Sequence, residues 1–304
     1  MTRTSLSFTL LAAIGLSACG GESAAPEQTT SRMCLDRADD APVDIPGGEF
    51  VMGENPRYPE EGPPRSVAIS RFAMDAHEVT NAQFAAFVEA TGYVTVAERE
   101  PASMPGASRE MRQPGSAVFQ VPTSDDPRWW RWVAGANWRQ PEGPDSSIEG
   151  LGHLPVVQIA YEDALAYADW AGGTLPNEAQ WEYAARAGES VVDPPLDTGG
   201  APTANYYQGV FPHRDLGEDG YRTRAPVGCF APNSLGLYDM IGNVWEWTAE
   251  PDRRAPHSAV IKGGSFLCAT NYCARYRPAA RQFQERGLGT NHIGFRLVYP
   301  ASGD

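Results

Sequence analysis

Apolar residues in this chain fall into short, separated groups rather than long periodic runs. Three groups have helical spacing. Thr80-Asn81-Ala82-Gln83 has the form of a capping box, and Phe84, Phe87 and Val88 follow on one helical face before Gly92. Glu162 to Trp170 (EDALAYADW) is a second amphipathic run, stopped by Gly172-Gly173. Asn177 with Gln180 caps a third (EAQWEYAARA), which ends at Gly188. Val67 to Ile69, Val156 to Ile159, Val260-Ile261 and Phe295 to Tyr299 are brief apolar runs between turn residues and predict short strands. From Glu98 to Gly152 no period is visible. That stretch is rich in Pro, Gly, Arg and Trp, including Trp129, Trp130, Trp132 and Trp138. A segment so long and irregular in a compact domain is usually functional or mobile; it reads as surface packing or as cover for a groove. The pattern predicts one α+β domain with low regular secondary structure and no internal repeat.

Composition adds turns and removes one class of partner. The 304 residues include 31 Gly and 26 Pro, which favour many short elements. A formal net charge of −14 argues against nucleic acid, whose phosphates require a surplus of Lys and Arg.

The first residues read differently from the rest. Arg3 precedes a short apolar stretch, Leu6 to Leu16, well below the roughly 20 residues of a spanning helix. It runs into Leu16-Ser17-Ala18-Cys19, which resembles the lipobox of bacterial lipoproteins, where the Cys becomes the lipidated first residue. The alternative is an ordinary cleaved signal peptide. Gly20 to Ser31 is small and polar, as a tether would be. The predicted organisation is a lipoprotein signal peptide over 1–18, a flexible tether over 19–42 and one domain over 43–300. Its predicted location is the periplasmic face of the cell envelope, held to the membrane only by the lipid on Cys19.

Export makes cysteine pairing relevant. Beyond Cys19, four cysteines remain, Cys34, Cys229, Cys268 and Cys273, which allow three pairings. Cys268 and Cys273 are five apart. That spacing puts side chains on opposite faces of a strand, or about 140° apart on a helix, so the sulfurs meet only if the chain turns between them. Asn271 and the upstream Gly263-Gly264 permit such a turn. Converged thiols suit a disulfide, Zn2+ or Cu(I). Zinc needs more N or S ligands, while His77, His153, His213, His257 and His292 are scattered singly. A soft ion of low coordination number, Cu(I), suits two thiolates. Spacing alone leaves the three open.

The surrounding residues resemble a known family. Gly263 to Arg277 (GGSFLCATNYCARYR), with Ala279-Ala280-Arg281 and Gly294-Phe295-Arg296, is similar to the active-site region of formylglycine-generating enzymes. So are Gly236 to Trp247 (GLYDMIGNVWEW), Ile45 to Gly53, Glu78 to Phe84 and Leu175 to Gly188, in the family's order. The resemblance implies a compact, irregular α+β fold of formylglycine-generating-enzyme type, related to C-type lectin-like domains. It implies that Cys268 and Cys273 hold Cu(I) and that a substrate cysteine joins as a third thiolate. O2-dependent removal of hydrogen from the substrate Cβ then yields a thioaldehyde, which hydrolyses to formylglycine. By the same resemblance Ser265 is a polar group beside the metal and Trp245 lines the pocket, although a buried Trp is equally at home as a core aromatic.

The resemblance also implies two structural Ca2+ sites. Asn205 and Asp219 side chains with the Tyr206 and Tyr221 carbonyls would form one. Asp239, Gly242, Val244 and Glu246 would form the other, again two side chains and two carbonyls. Oxygen ligands on irregular loops suit Ca2+; the plain alternative is solvated turn carboxylates. The chain departs from exported animal members in having Pro278 and Leu297 where they carry extra cysteines. Cys34 and Cys229 are left over, which implies that they pair with each other.

Three functions follow for comparison. The first is an enzyme that oxidises a cysteine in an unfolded protein, a sulfatase carrying Cys-x-Pro-x-Arg, to formylglycine. The second is an enzyme of the same scaffold with another exported substrate. The third is a non-catalytic envelope lipoprotein with a binding role, since the scaffold also hosts members without the oxidase chemistry.

Overall fold

Residues 34, 41–101, 106, 108–189, 192–252 and 255–301 are described by a computed structural model. All three helices are present, and their ends follow local chemistry. α1 (Asn81–Thr91) begins at a reciprocal box: Gln83 N donates to Thr80 Oγ1, and Thr80 N donates to Gln83 Oε1 at 2.8 Å. It stops at Gly92, whose φ of 66° lies where glycine carries no Cβ penalty. α2 (Tyr161–Ala171) has no hydroxyl cap; Asp163 Oδ2 instead accepts from Ala160 N at 2.9 Å. α3 (Glu178–Arg186) is boxed by Asn177 and Gln180, and the left-handed stop falls on Ala187, one residue before Gly188.

The strands are short, and long-range pairing holds them. β1 (Val43–Ile45), β2 (Gly48–Met52), β3 (Arg65–Ile69) and β4 (Phe72–Met74) lie near the start of the domain. β5 (Gly115–Phe119) and β6 (Trp130–Ala134) form a hairpin inside the stretch without period. β7 (Gly209–Val210) and β8 (Arg214–Asp215) form a second, tiny hairpin. β9 (Trp245–Asp252), β10 (Ala255–Lys262), β11 (Gln282–Glu285), β12 (Ile293–Gly294) and β13 (Val298–Pro300) complete the set. The main sheet has the order β11-β10-β9-β12, with β12 parallel to β9. A second sheet, β1-β4-β13, joins the two ends of the domain.

Two expected strands differ from the pattern. Val156 to Ile159 is fully buried but makes no strand: Gln158 sits at φ 62°, and Val156 N and Gln158 N donate to Val79 O and Thr290 O on different segments. Phe295 to Tyr299 is split, because the chain leaves β9 after Gly294 and crosses to β4 at Val298. Apolarity there reports burial between sheets rather than extended pairing.

Phe84, Phe87, Trp138, Tyr167 and Phe295 form an aromatic core beneath α1 and α2. Complete burial of a side chain such as Phe84 contributes about 2 kcal/mol. A second cluster, around Trp181, Met74 and Leu237, seats α3 against the β1-β4-β13 sheet. Two buried charges tie elements together. Lys262 on β10 reaches Glu182 at 3.1 Å on α3, and Arg296 reaches Glu246 on β9 at 2.7 Å. Cys34 is disulfide-bonded to Cys229, the pairing expected for the two cysteines left over where the chain departs from its exported relatives. No helix among the described residues is long and apolar enough to cross a membrane.

Candidate active site

The two free thiols are brought together by a tight turn. Ala269 N and Tyr272 N exchange hydrogen bonds with each other's carbonyls at 3.2 and 3.1 Å, closing Thr270-Asn271 into a two-residue connection. Cys268 and Cys273 are the next residues out on either side. On a hairpin such opposed residues point to the same face, so a spacing of five becomes a contact, with Sγ atoms 3.7 Å apart. The upstream approach is equally constrained. Gly264 has φ 77°, and a Cβ there would lie 2.7 Å from Tyr276 Cα. Cys268 N donates to Ser265 O and Tyr207 N to Cys268 O, which fixes the first thiol from both directions.

A cavity of about 90 Å³ opens over the sulfurs, lined by Cys268, Cys273, Ser265, Trp245, Gln282 and His292. This is well under the roughly 300 Å³ at which pockets for whole small ligands begin. Aromatic rings wall its mouth. Tyr272 stacks on Phe211 with centroids 4.6 Å apart, and Trp129 lies 5.2 Å from Tyr272. Phe119 and Trp130 close the other side, with Trp130 4.8 Å from the His292 ring. Phe119, Trp129 and Trp130 all come from the β5–β6 hairpin and its loop, so the stretch without sequence period covers the thiols.

Burial sets the electrostatics. Cys268 is held well above the usual thiol range by burial and by its contact with Cys273. Cys273 is lowered, first by its contact with Cys268 and, against its own burial, by the Arg275 charge. Burial pushes His292 down to about 3, and its Nδ1 lies 2.5 Å from Thr290 Oγ1, so it faces the pocket as a neutral imidazole at neutral pH.

The donor set fits the expected copper. Two unbonded, buried, adjacent thiols form a soft pair. Among the described residues no group of three or more His, Cys, Asp and Glu is placed to hold a metal, as a zinc site would require. Ser265 and Trp245, both completely buried, lie in the same cavity as the sulfurs.

The residues expected to bind calcium adjoin one another behind this site. Asn205 Nδ2 donates to Asn243 Oδ1, Asn243 N donates to Asn205 O, and Asn205 bridges to Gly242. In the first group Asp219 accepts from Tyr206 N, Tyr221 N and Gln208 Nε2, and Gln208 Nε2 also touches the Tyr206 carbonyl. Asp219 and the Tyr206 carbonyl are thus hard oxygen donors brought to one place by the Gln208 amide, the donor type that Ca2+ takes. In the second group Val244 is buried and Asp239 Oδ2 accepts from Gly228 N. Both oxygens of Glu246 already accept, from Arg296 and from Trp181 Nε1. Three buried carboxylates, Glu78, Asp239 and Glu246, nevertheless share Arg296, and Glu78 Oε2 has no hydrogen-bond partner. A cation near Asp239 fits that excess of negative charge. Cys19 lies outside the described residues.

Sequence reasoning missed Gln282, Phe211 and Phe119, treated His292 as a lone histidine, and left groove cover and surface packing both open for Trp129 and Trp130. Only the cluster of tryptophans hinted at them; their neighbours in space are distant in sequence.

Similar proteins give this geometry a family. A relative from Mycobacterium tuberculosis named formylglycine-generating enzyme is 49% identical over 86% of this chain and 98% of its own length. A mouse relative named inactive C-alpha-formylglycine-generating enzyme 2 is 38% identical over 89% of this chain and 89% of its own. Among solved structures, PvdO from Pseudomonas aeruginosa superposes with a TM-score of 0.59 at 25% identity, covering 85% of this chain and 94% of PvdO. A model of the sulfatase-modifying factor enzyme 1-like domain matches residues 28–301, and the chain belongs to that family, the one that includes the formylglycine-generating enzymes.

Proposed function

We propose that this protein oxidises a cysteine in an unfolded target chain, a sulfatase with a Cys-x-Pro-x-Arg segment, to formylglycine with copper and O2. The observation that carries the reading is the pair of free thiols 3.7 Å apart at the floor of a small, aromatic-walled cavity. Cys34 and Cys229 are bonded to each other, which leaves Cys268 and Cys273 as the pair available for this chemistry among the described residues. The existence of an inactive relative keeps a binding role in view, but the adjacent free thiols favour chemistry.

Cys268 and Cys273 would hold copper, which supplies the one-electron and O2 chemistry when bound. The rest belongs to the chain. Cys273, with the lowered pKa, is the thiol that gives up its proton first. Ser265 and the neutral His292 offer hydrogen bonds to the incoming cysteine. The rings of Trp129, Phe211 and Tyr272 would pack against an incoming cysteine and reduce its contact with water. Converting the substrate's thiol-bearing methylene to an aldehyde, with release of hydrogen sulfide, removes two electrons from the substrate. O2 accepts four on reduction to water, so an external thiol pair must supply the other two. Asn205, Tyr206, Asp219, Tyr221, Asp239, Gly242, Val244 and Glu246 would hold Ca2+ ions that stiffen the loops behind the thiols. The apolar leader, Cys19 and the oxidised Cys34–Cys229 pair support export with a lipid anchor.

Copper binding tests the ligand assignment. Titrated with Cu(I) against a chromogenic chelator, the wild type is expected to take up one equivalent, and Cys268→Ser and Cys273→Ser to lose it. Undiminished binding in both variants would put the metal elsewhere.

A further inference from the structure

We propose that Tyr58 and Glu60, on the turn between β2 and β3, are positioning residues that hold Cys273 in its metal-binding pose by clamping Arg275. The proposal rests on reading Cys268 and Cys273 as copper ligands.

The two thiols are not held alike. Cys268 is almost completely buried, and its backbone is bonded to Ser265 and Tyr207. Cys273 is only partly buried and sits at φ 46°, a left-handed conformation costly for a side chain with a Cβ. Immediately after it, Arg275 N donates to Cys273 O at 2.7 Å, a tight reversal that places the Arg275 side chain next to the thiol. The irregular segment that leaves Cys273 is met by the Pro59–Glu61 turn, 215 residues away in sequence at the Glu60–Arg275 contact.

The contacts converge on Arg275. Its Nη1 pairs with Glu60 Oε1 and donates to Arg281 O at 2.9 Å, and its Cζ lies 4.0 Å from the centre of the Tyr58 ring. Acid, carbonyl and ring thus hold one guanidinium on three sides. Two residues on, Arg277 pairs with the buried Glu61 at 2.5 Å, and Glu61 Oε2 in turn accepts from Arg57 N. That second pair anchors the turn to the body of the protein, so the Glu60–Tyr58 contact acts from a fixed base. At about one-fifth exposure, the Arg275 and Glu60 side chains are only partly screened by solvent. Releasing Arg275 would let Cys273 relax out of its left-handed pose, while Cys268, whose own N–H and carbonyl are bonded to Ser265 and Tyr207, is held more firmly.

The test uses the full chain and two readouts. Cu(I) affinity is measured by chelator competition, and the iodoacetamide alkylation rate of each thiol is followed by peptide mapping on metal-free protein at one pH. Glu60→Ala and Tyr58→Ala are expected to weaken Cu(I) binding about tenfold, the scale of a lost charge-assisted contact. They should raise alkylation of Cys273 several-fold and change that of Cys268 much less. Tyr58→Phe keeps the ring face and should behave as wild type; Glu60→Gln keeps an acceptor without the charge and should fall between. Equal changes at both thiols, or wild-type values in both alanine variants, would overturn the proposal. If the wild type binds no Cu(I), the copper reading fails, and the Cys273-selective alkylation result alone decides for or against the clamp.

Discussion

The division of labour between two identical side chains comes from a few ångströms of environment. Cys268, enclosed, keeps its proton, and Cys273 becomes the better thiolate. The sequence supplies both cysteines and the glycines that let them approach, but not this asymmetry, because the deeper burial of Cys268 is set by residues distant in sequence. Asp163 illustrates the same limit. Its spacing reads as the start of α2, and it does bond Ala160 N; it also accepts from Val96 N and Tyr93 Oη, which no local pattern announces. Burial raises its carboxyl to about 6 against those donors. With the folded pKa above the unfolded one, the native state holds the extra proton between about 4 and 6, so this group's contribution to stability falls as pH rises through that window. Against an Asp163→Asn variant, which cannot titrate, the wild type is expected to gain relative stability as pH is lowered from 7 to 5. Denaturant unfolding at both pH values checks it; a difference that does not change with pH would refute the raised pKa.

Among elements, the helices were legible and the β5–β6 hairpin was not. Each helix carries its own start and stop within about a dozen residues, so local chemistry suffices. The hairpin is anchored from outside: Ser116 Oγ donates to Gly289 O at 2.6 Å, and Phe119 N donates to Asn291 Oδ1. A two-stranded ribbon is marginal alone and stable when docked, so its sequence need not alternate cleanly. Docking puts Trp129 and Trp130 over the thiols. Trp129→Ala is therefore expected to raise the alkylation rate of Cys273 several-fold, with the melting temperature changed little, since this ring is only partly buried. An unchanged rate would mean that the hairpin does not shield the site.

For the whole molecule, the order of motifs along the chain was enough to predict the family and an irregular α+β fold. Its closure was harder to foresee. β13 pairs beside β4, joining the domain's ends, and Arg296 passes between the two sheets to reach Glu246. Those contacts explain why Phe295 to Tyr299 looks like one strand and is not. Cys34–Cys229 adds a covalent tie ahead of β1. The site draws on the hairpin, the loop carrying Phe211, β9, the cysteine turn and the segment before β12, so the function needs the fold as a unit.

The most direct test of this account is mass spectrometry of a peptide containing Cys-x-Pro-x-Arg after incubation with the protein, Cu(I), O2 and a thiol reductant, beside Cys268→Ser and Cys273→Ser. The account predicts the thiol-to-aldehyde mass loss with the wild type and none with either variant. An unchanged peptide in the presence of copper-loaded wild type would contradict it as to substrate, and conversion that survives loss of either cysteine would contradict it as to mechanism.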